Sequence, residues 1–477
     1  MIVIRTRAGS PGLVRKKIVE YGLLGLLLWS PLPAASVEEW AIFVIELAAA
    51  VLAGAYVLLE PKPVLNPHLP PVLKAMRPVA LALFGFLALQ IVPLPAGLVR
   101  VIAPGSYAFR ELYAPEFGRM KLMTLSIAPA DTLGAILLFA ALFILGLLVL
   151  RTVTRGREIR ALLAVLVVAG AFQALYGLFE LTRAAPRLLF YKKVFTLDSV
   201  TGTFVNRNHF CGYIEMIVPL ALGLAFGRIR NKTSGIRGFR EKLLLWSTPD
   251  MLVNVLILAA AAVMSVAVLL SNSRSGLAVL GFSLCLFAEL WISAFSRTAF
   301  RRPWMGKALR VVLVGVTVAV LSIGVGSTIR RFGRENLLSE NRPQYWSTTV
   351  AMIGRFPLFG TGLGTFATAY DAHEKASSTD LRLIHAHNDY LEYAAELGLL
   401  GTVLLLGVVL YPTLSAYFTW RDRRDPQARS LALGGIVSLA AMGLHALTDF
   451  NLHIPANMVL FAVVLGLTPV MAYHRKS

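Results

Sequence analysis

What most constrains this chain is a succession of apolar segments, repeated along its whole length, each long enough to cross a lipid bilayer. A helix needs roughly 20 apolar residues to span the hydrocarbon core, where it satisfies its own backbone polar groups. About twelve such segments can be marked, with cores near 18–36, 40–59, 78–97, 131–150, 159–181, 209–227, 251–270, 276–295, 308–327, 390–413, 430–446 and 457–473. With 57% hydrophobic and only 15% charged residues, the composition exceeds what a soluble globular protein carries. The expected fold class is all-α: a polytopic integral membrane protein of about twelve transmembrane helices, with one large loop that contains short helices. The first run ends at Pro31, Pro33 and Ala34-Ala35 and so has the look of a signal peptide. The second span follows so closely that a first transmembrane helix is the preferred reading.

Basic residues in short loops stay in the cytoplasm, so their distribution sets the orientation. Arg5, Arg7, Arg15, Lys16 and Lys17 precede the first span, which places the N-terminus inside. Further basic clusters follow at Arg151/Arg155/Arg157/Arg160, Arg228/Arg230/Lys232/Arg237/Arg240/Lys242, Arg297/Arg301/Arg302/Lys307 and Arg421/Arg423/Arg424/Arg429, and His474-Arg475-Lys476 puts the C-terminus inside too. The net charge of +20 sits mostly in these rims, where it answers the insertion rule and anionic lipid head groups rather than nucleic acid. Cys211 and Cys285 fall in expected spans and read as small packing residues.

The loops on the opposite side look nothing like insertion signals. The loop near 98–130 mixes Pro104, Tyr107, Phe109, Arg110 and Tyr113 and reads as surface helix lying on the membrane. The others carry Thr201-Gly202-Thr203-Phe204-Val205-Asn206-Arg207-Asn208-His209, the turn Ser271-Asn272-Ser273-Arg274-Ser275-Gly276, the large loop near 328–389, and Thr448-Asp449-Phe450-Asn451-Leu452-His453-Ile454-Pro455. All the candidate chemistry therefore faces one compartment, where no nucleotide or nicotinamide cofactor is expected. Within the large loop, Pro343 belongs to the first turn of a helix with the apolar stripe Trp346, Val350 and Ile353, ended by Pro357. Gly360-Thr361-Gly362-Leu363-Gly364 is a tight turn that lets backbone approach backbone; no strand precedes it, as a nucleotide loop would require. Asp389 and Glu392 have capping-box spacing for the next span, whose N-terminus would offer free N–H groups to an anion.

Arg274 is the residue hardest to explain as packing, because a guanidinium at the rim between two apolar helices is costly without an anionic partner. With Arg342 and Arg207 it makes a bidentate clamp for phosphate oxygens, a task that suits guanidinium better than ammonium. His385 or His387 can serve as general base, with Asn388 and Asp389 beside them to hold a ring or a substrate. A metal on His385, His387 and Asp389 is the competing idea, and is set aside because neither a second ligand cluster nor a zinc spacing is present. His445, Asp449, Asn451 and His453 form a second polar knot that reads equally as helix-end capping or as lining of the same cavity.

The order of these motifs carries a resemblance. Ser273-Arg274-Ser275-Gly276, then Arg342 ahead of Trp346, then the Gly360–Phe366 turn after Phe356-Pro357, then His387-Asn388 opening the next helix, resembles the O-antigen ligase and O-antigen polymerase superfamily over roughly residues 200–455. That resemblance implies a GT-C-like, multi-pass bacterial inner-membrane glycosyltransferase working on the periplasmic face. Its donor would be a glycan on undecaprenyl diphosphate and its acceptor a lipid A core or another glycan; it would need no metal. Two arginines would hold the diphosphate and a loop histidine would activate the acceptor hydroxyl. In this sequence these are Arg274, Arg342 and His387, with His385 at a more variable position. The organisation implied is a transmembrane scaffold over residues 1–200, then a catalytic membrane region over 201–477 with the periplasmic loop 328–389. Ligase and polymerase share this chemistry and differ in acceptor, and a protein O-glycosylating relative is a third acceptor choice. A transporter is the reading of a different class, disfavoured because no internal repeat is evident and the polar motifs sit at one face rather than at mid-bilayer.

Overall fold

The computed structural model describes residues 11–58, 70–115, 117–233, 248–299, 315, 342–373 and 383–474. Apart from Gly315, the span expected near 308–327 lies outside the described residues, as does the opening of the large loop, 328–341. The described chain is almost entirely helical: α1 (Pro11–Trp29), α2 (Glu39–Leu58), α3 (Pro70–Ile91), α4 (Ala96–Ile102), α5 (Pro104–Tyr113), α6 (Pro129–Thr152), α7 (Gly156–Leu181), α8 (Arg207–Thr233), α9 (Pro249–Leu269), α10 (Arg274–Ala299), α11 (Arg342–Arg355), α12 (Phe366–Asp371), α13 (Asp389–Asp422), α14 (Pro426–His445) and α15 (Pro455–Tyr473). Among the described residues strand is confined to two antiparallel pairs, Leu94–Pro95 with Leu122–Met123 and Arg187–Leu188 with Tyr191–Lys192.

Ten of these helices are long and apolar enough to cross a membrane: α2, α3, α6, α7, α8, α9, α10, α13, α14 and α15. This is the all-α, polytopic architecture expected. The first expected span corresponds to α1, which carries Arg15, Lys16, Lys17 and Glu20 in its opening turns and packs on α2, α6 and α7. It stops at Trp29 rather than 36, where Pro31 and Pro33 lead into a short turn at Ala34–Ser36 with positive φ. The third span begins at Pro70, eight residues ahead of the expected Pro78, because Pro70-Pro71 suits a first helical turn and Pro78 is accommodated inside the helix.

α8, α14 and α15 form the centre of the bundle. The spanning part of α8 is 89% buried, against 28% for α2. Close approach of α8 and α14 depends on small residues: a Cβ on Gly434 would sit 2.7 Å from Pro219 O, and one on Gly223 2.6 Å from Ser430 O. Around this core the loops sort to two ends. At one, Lys16 reaches Glu158 (2.8 Å) and Thr154 (2.7 Å), Arg423 bonds His474 O, and Arg429 bonds Ala294 O at 2.9 Å. At the other, the described parts of the loops 92–128, 197–206, 270–273, 356–373, 383–388 and 446–454 are joined by side-chain and backbone bonds. Among the described residues, Lys16, Arg423 and Arg429 thus lie away from the unusual motifs.

α13 is interrupted at Gly398 (φ 60, ψ −173). The break exposes backbone groups that the glycine turn fills: Thr361 N donates to Ala395 O and Gly362 N to Glu396 O (both 2.9 Å), and Leu399 N donates to Pro357 O at 2.8 Å. Gln90 of α3 closes the joint by donating to Phe359 O (2.9 Å) and Glu396 O (3.1 Å) and accepting from Leu363 N. The glycine turn is a backbone-to-backbone clamp on the first turns of α13. Gly360 has φ +70 and its missing Cβ leaves room for Glu396 O. We expect Gly360→Ala to pay about 1–2 kcal/mol for left-handed backbone before any clash, and to lower the melting temperature of detergent-purified protein. An unchanged melt would contradict this account of the clamp.

Candidate active site

The site is assembled where the segment before α13 lies against the turn between α14 and α15. Asn388 caps α13, its Oδ1 accepting from Leu391 N at 3.1 Å. Its amide donates to Leu447 O (3.0 Å), and Asp389 N donates to Ala446 O (2.9 Å). These bonds fix residues 385–392 against residues 446–453. The capping box expected between Asp389 and Glu392 does not form: Asn388 provides the cap, and both acids turn to histidines instead.

The two loop histidines face different carboxylates. His387 Nδ1 lies 3.1 Å from Asp449 Oδ1, and His387 itself has φ 52, in the left-handed region that non-glycine residues seldom adopt. His385 Nδ1 lies 2.7 Å from Glu392 Oε1, whose second oxygen accepts from Ala386 N at 2.8 Å. The Phe450 ring packs against three imidazoles, stacked on His385 at 4.2 Å and edge-on to His209 (4.5 Å) and His387 (4.9 Å). A further pair runs behind them: His453 Nδ1 lies 2.7 Å from Asp389 Oδ1, and Leu452 N donates to Asp389 Oδ2 at 3.0 Å.

Asp449 is fully buried and is the hub. Besides His387 it accepts from Phe450 N (2.9 Å) and from the Asn208 amide (2.5 Å), with His209 Nε2 at 3.8 Å. Burial alone would push its carboxyl up, but hydrogen bonds and charge from His209 and His387 outweigh that and hold it well below the usual carboxylate range. Burial pulls the His453 imidazole down; the flanking Glu392, Asp389 and Glu396 carboxylates dominate and push it up to about 9.

Arg342, at the start of α11, donates to Thr448 O at 2.9 Å, one residue from Asp449. Trp346 of the same helix donates to Ala386 O at 3.1 Å. Arg274 opens α10 directly after Ser273, whose hydroxyl accepts from Gly276 N (3.1 Å) as the helix cap and donates to Asn208 Oδ1 at 2.7 Å. Arg207 opens α8 one residue before Asn208. Arg342 and His387 therefore border one hub, and Arg274 and Arg207 open helices whose neighbouring residues reach it. Asn388 (8% exposed) and Asp389 (1%) are turned inward, holding the loop rather than facing outward.

The second polar knot divides. Asp449 and His453 line the site, whereas His445 pairs with Glu215 of α8 at 2.8 Å, both fully buried, and Asn451 accepts from Asn457 at 2.9 Å. Sequence reasoning passed over Glu392, Phe450 and the Asn208 amide as site components. The signal available was their proximity to the singled-out motifs, but not the pairing. In α11 the buried face runs through Thr349 and Met352, and Val350 of the expected stripe is 55% exposed, because that helix packs against α12 and α13 rather than entering the bilayer.

A helical bundle with ten membrane-crossing helices among the described residues, and with titratable groups gathered at one end, defines a multi-pass membrane protein with a polar site at that end. Within it, residues 259–406 match the O-antigen ligase family model, a match that supports a role in membrane glycan transfer in O-antigen or polysaccharide assembly. The match runs from α9 into α13 and takes in Arg274, Arg342, His385 and His387, leaving Arg207, Asp449 and His453 outside. No curated protein matches the chain.

The sign of the Asp449 shift gives a pH test. A depressed carboxyl contributes stability that is present above its unfolded value, near 3.8, and is lost as pH falls through the folded one. Asp449→Asn should melt below wild type at neutral pH, with the gap closing below about pH 4. A gap that stays constant down the acid limb would remove the charge from this account.

Proposed function

We propose that the protein is a periplasm-facing glycosyltransferase of O-antigen ligase type, moving a glycan from undecaprenyl diphosphate to an acceptor hydroxyl in lipopolysaccharide or surface-polysaccharide assembly. The observation that carries this reading is the His387–Asp449 pair with Arg342 bound one residue away, at the end of the bundle opposite the basic turns. That sorting supports an orientation in which both termini are cytoplasmic and the site is periplasmic in the bacterial inner membrane. Residues 1–200 then serve as scaffold and 201–477 as the catalytic region.

In this mechanism His387 gives its Nδ1–H to Asp449, which leaves Nε2 as the basic nitrogen. His387 is taken as the base in preference to His385 because its partner Asp449 is the hub that Arg342 borders through Thr448. The acceptor O–H passes its proton to Nε2 while its oxygen forms a bond to the anomeric carbon. The bond from that carbon to the diphosphate breaks, and the lipid diphosphate leaves with the electron pair. Arg274 and Arg342, joined by Arg207, stabilise the charge on the departing phosphates, so no metal is needed at the reacting atoms. In-line displacement inverts the anomeric centre. A polymerase, with the growing chain as acceptor, uses the same groups; the transporter reading is disfavoured because the polar motifs lie at one end of the bundle rather than at its middle.

The test is purified protein with an undecaprenyl-diphosphate glycan and a candidate acceptor. Release of lipid diphosphate together with a new, inverted glycosidic linkage is expected, and His387→Ala should slow it by about 10²–10⁴-fold. Arg274→Lys should lose most of the activity, since an ammonium does not reproduce the forked contact. Retained configuration, or near-normal turnover in both variants, would reject the mechanism; transport without bond cleavage would reject the enzyme.

A further inference from the structure

Behind His387 lies a second cluster that the transfer chemistry does not use. His385 Nδ1, a Glu392 oxygen and a His453 nitrogen come from three pieces of chain, the loop before α13, the first turn of α13 and the turn before α15, and all lie within 4.8 Å of one another. Glu392 Oε1 is shared between them, 2.7 Å from His385 Nδ1 and 3.4 Å from His453 Nε2. His453 Nε2 is buried and makes no hydrogen bond, although that carboxylate oxygen is near.

The outer contacts are those that orient metal ligands. Asp389 holds His453 Nδ1 at 2.7 Å, which fixes Nε2 as the free nitrogen, and Ala386 N holds the second oxygen of Glu392 at 2.8 Å. Charge points the same way. Asp389, Glu392 and Glu396 are each 1% exposed, and among the described residues their bonds go to imidazoles and backbone N–H groups, with no lysine or arginine paired to them. Three buried carboxylates in one pocket call for positive charge.

We propose that His385, Glu392 and His453 form a site for a divalent transition metal of zinc type, with the fourth position open. Ligands at about 2.0–2.1 Å in tetrahedral array stand about 3.3 Å apart, the separation Glu392 and His453 already have. His385, with a quarter of its side chain exposed, has to withdraw by about half an ångström to complete the set. The ion would tie the loop before α13 to the turn before α15 and so set the position of His387. It touches no reacting atom, and its role is positioning. This differs from the metal set that sequence reading set aside: His387 is turned to Asp449, and Asp389 lies in the outer shell.

The rival counter-charge is a proton on His453, and the experiment separates the two. The full chain, purified in detergent through a tag without histidine, is assayed for zinc by elemental analysis, stripped with a chelator, and titrated with zinc while its melting temperature is followed. The expected result is one zinc per chain and a melting temperature that falls on stripping and recovers on reloading. His453→Gln and Glu392→Gln should abolish binding, Asp389→Asn should weaken it by about 10–100-fold, and His373→Gln, at an imidazole bonded to Ala369 O elsewhere in the loop, should leave it intact. Wild type carrying only background zinc, with no melting shift on titration, would overturn the proposal without any variant having to fold; so would equal binding by His453→Gln. Metal content and melting are read independently of glycan transfer, so a negative result here leaves the transferase reading standing.

Discussion

The burial of Asp449 is the constraint on which the rest of the site depends. A carboxylate with no exposure is stable only if its oxygens are hydrogen-bonded, and this one collects its partners from separate parts of the chain. The Asn208 amide and His209 come from α8, His387 from the loop before α13, and Phe450 N from the adjacent turn. Ser273 then binds Asn208 and brings in the start of α10. One charged group thereby joins four elements that are distant in sequence, and it also aims the imidazole proposed as base.

Such a hub needs a rigid floor. α8, α14 and α15 supply it, because their faces meet protein on nearly every side and their small residues allow backbones to approach closely. The outer helices α2, α9 and α10 are largely exposed along their spans, as helices that face lipid must be. The Gly398 break in α13 adds a second fixed point: it lets the glycine turn grip residues 395–399, so the short stretch between Asn388 and Gly398 is anchored at both ends.

The fold was largely legible in the sequence, for a physical reason. Apolar length is a local property, and a bilayer rewards it one segment at a time. Boundaries were less so: Pro78 reads as a helix start in isolation but is carried inside α3, and Pro31 ends α1 before its apolar run is exhausted. The candidate site residues stood out because arginine and histidine are conspicuous next to apolar spans. Their pairing was not. His387 and Asp449 are separated by 62 positions and follow no period, so Asp389 stood as the nearer carboxylate although it belongs to His453. The same holds for Glu392, whose spacing suits a capping box until Asn388 takes the cap and frees it for His385.

The account is tested most directly by a structure of the protein with a lipid diphosphate bound. It predicts the two phosphates within hydrogen-bonding reach of the Arg274 and Arg342 guanidinium groups, with His387 still on Asp449 and its Nε2 facing the space where an acceptor hydroxyl would enter. A diphosphate held at the opposite end of the bundle, among Lys16, Arg228 and Arg423, would contradict it.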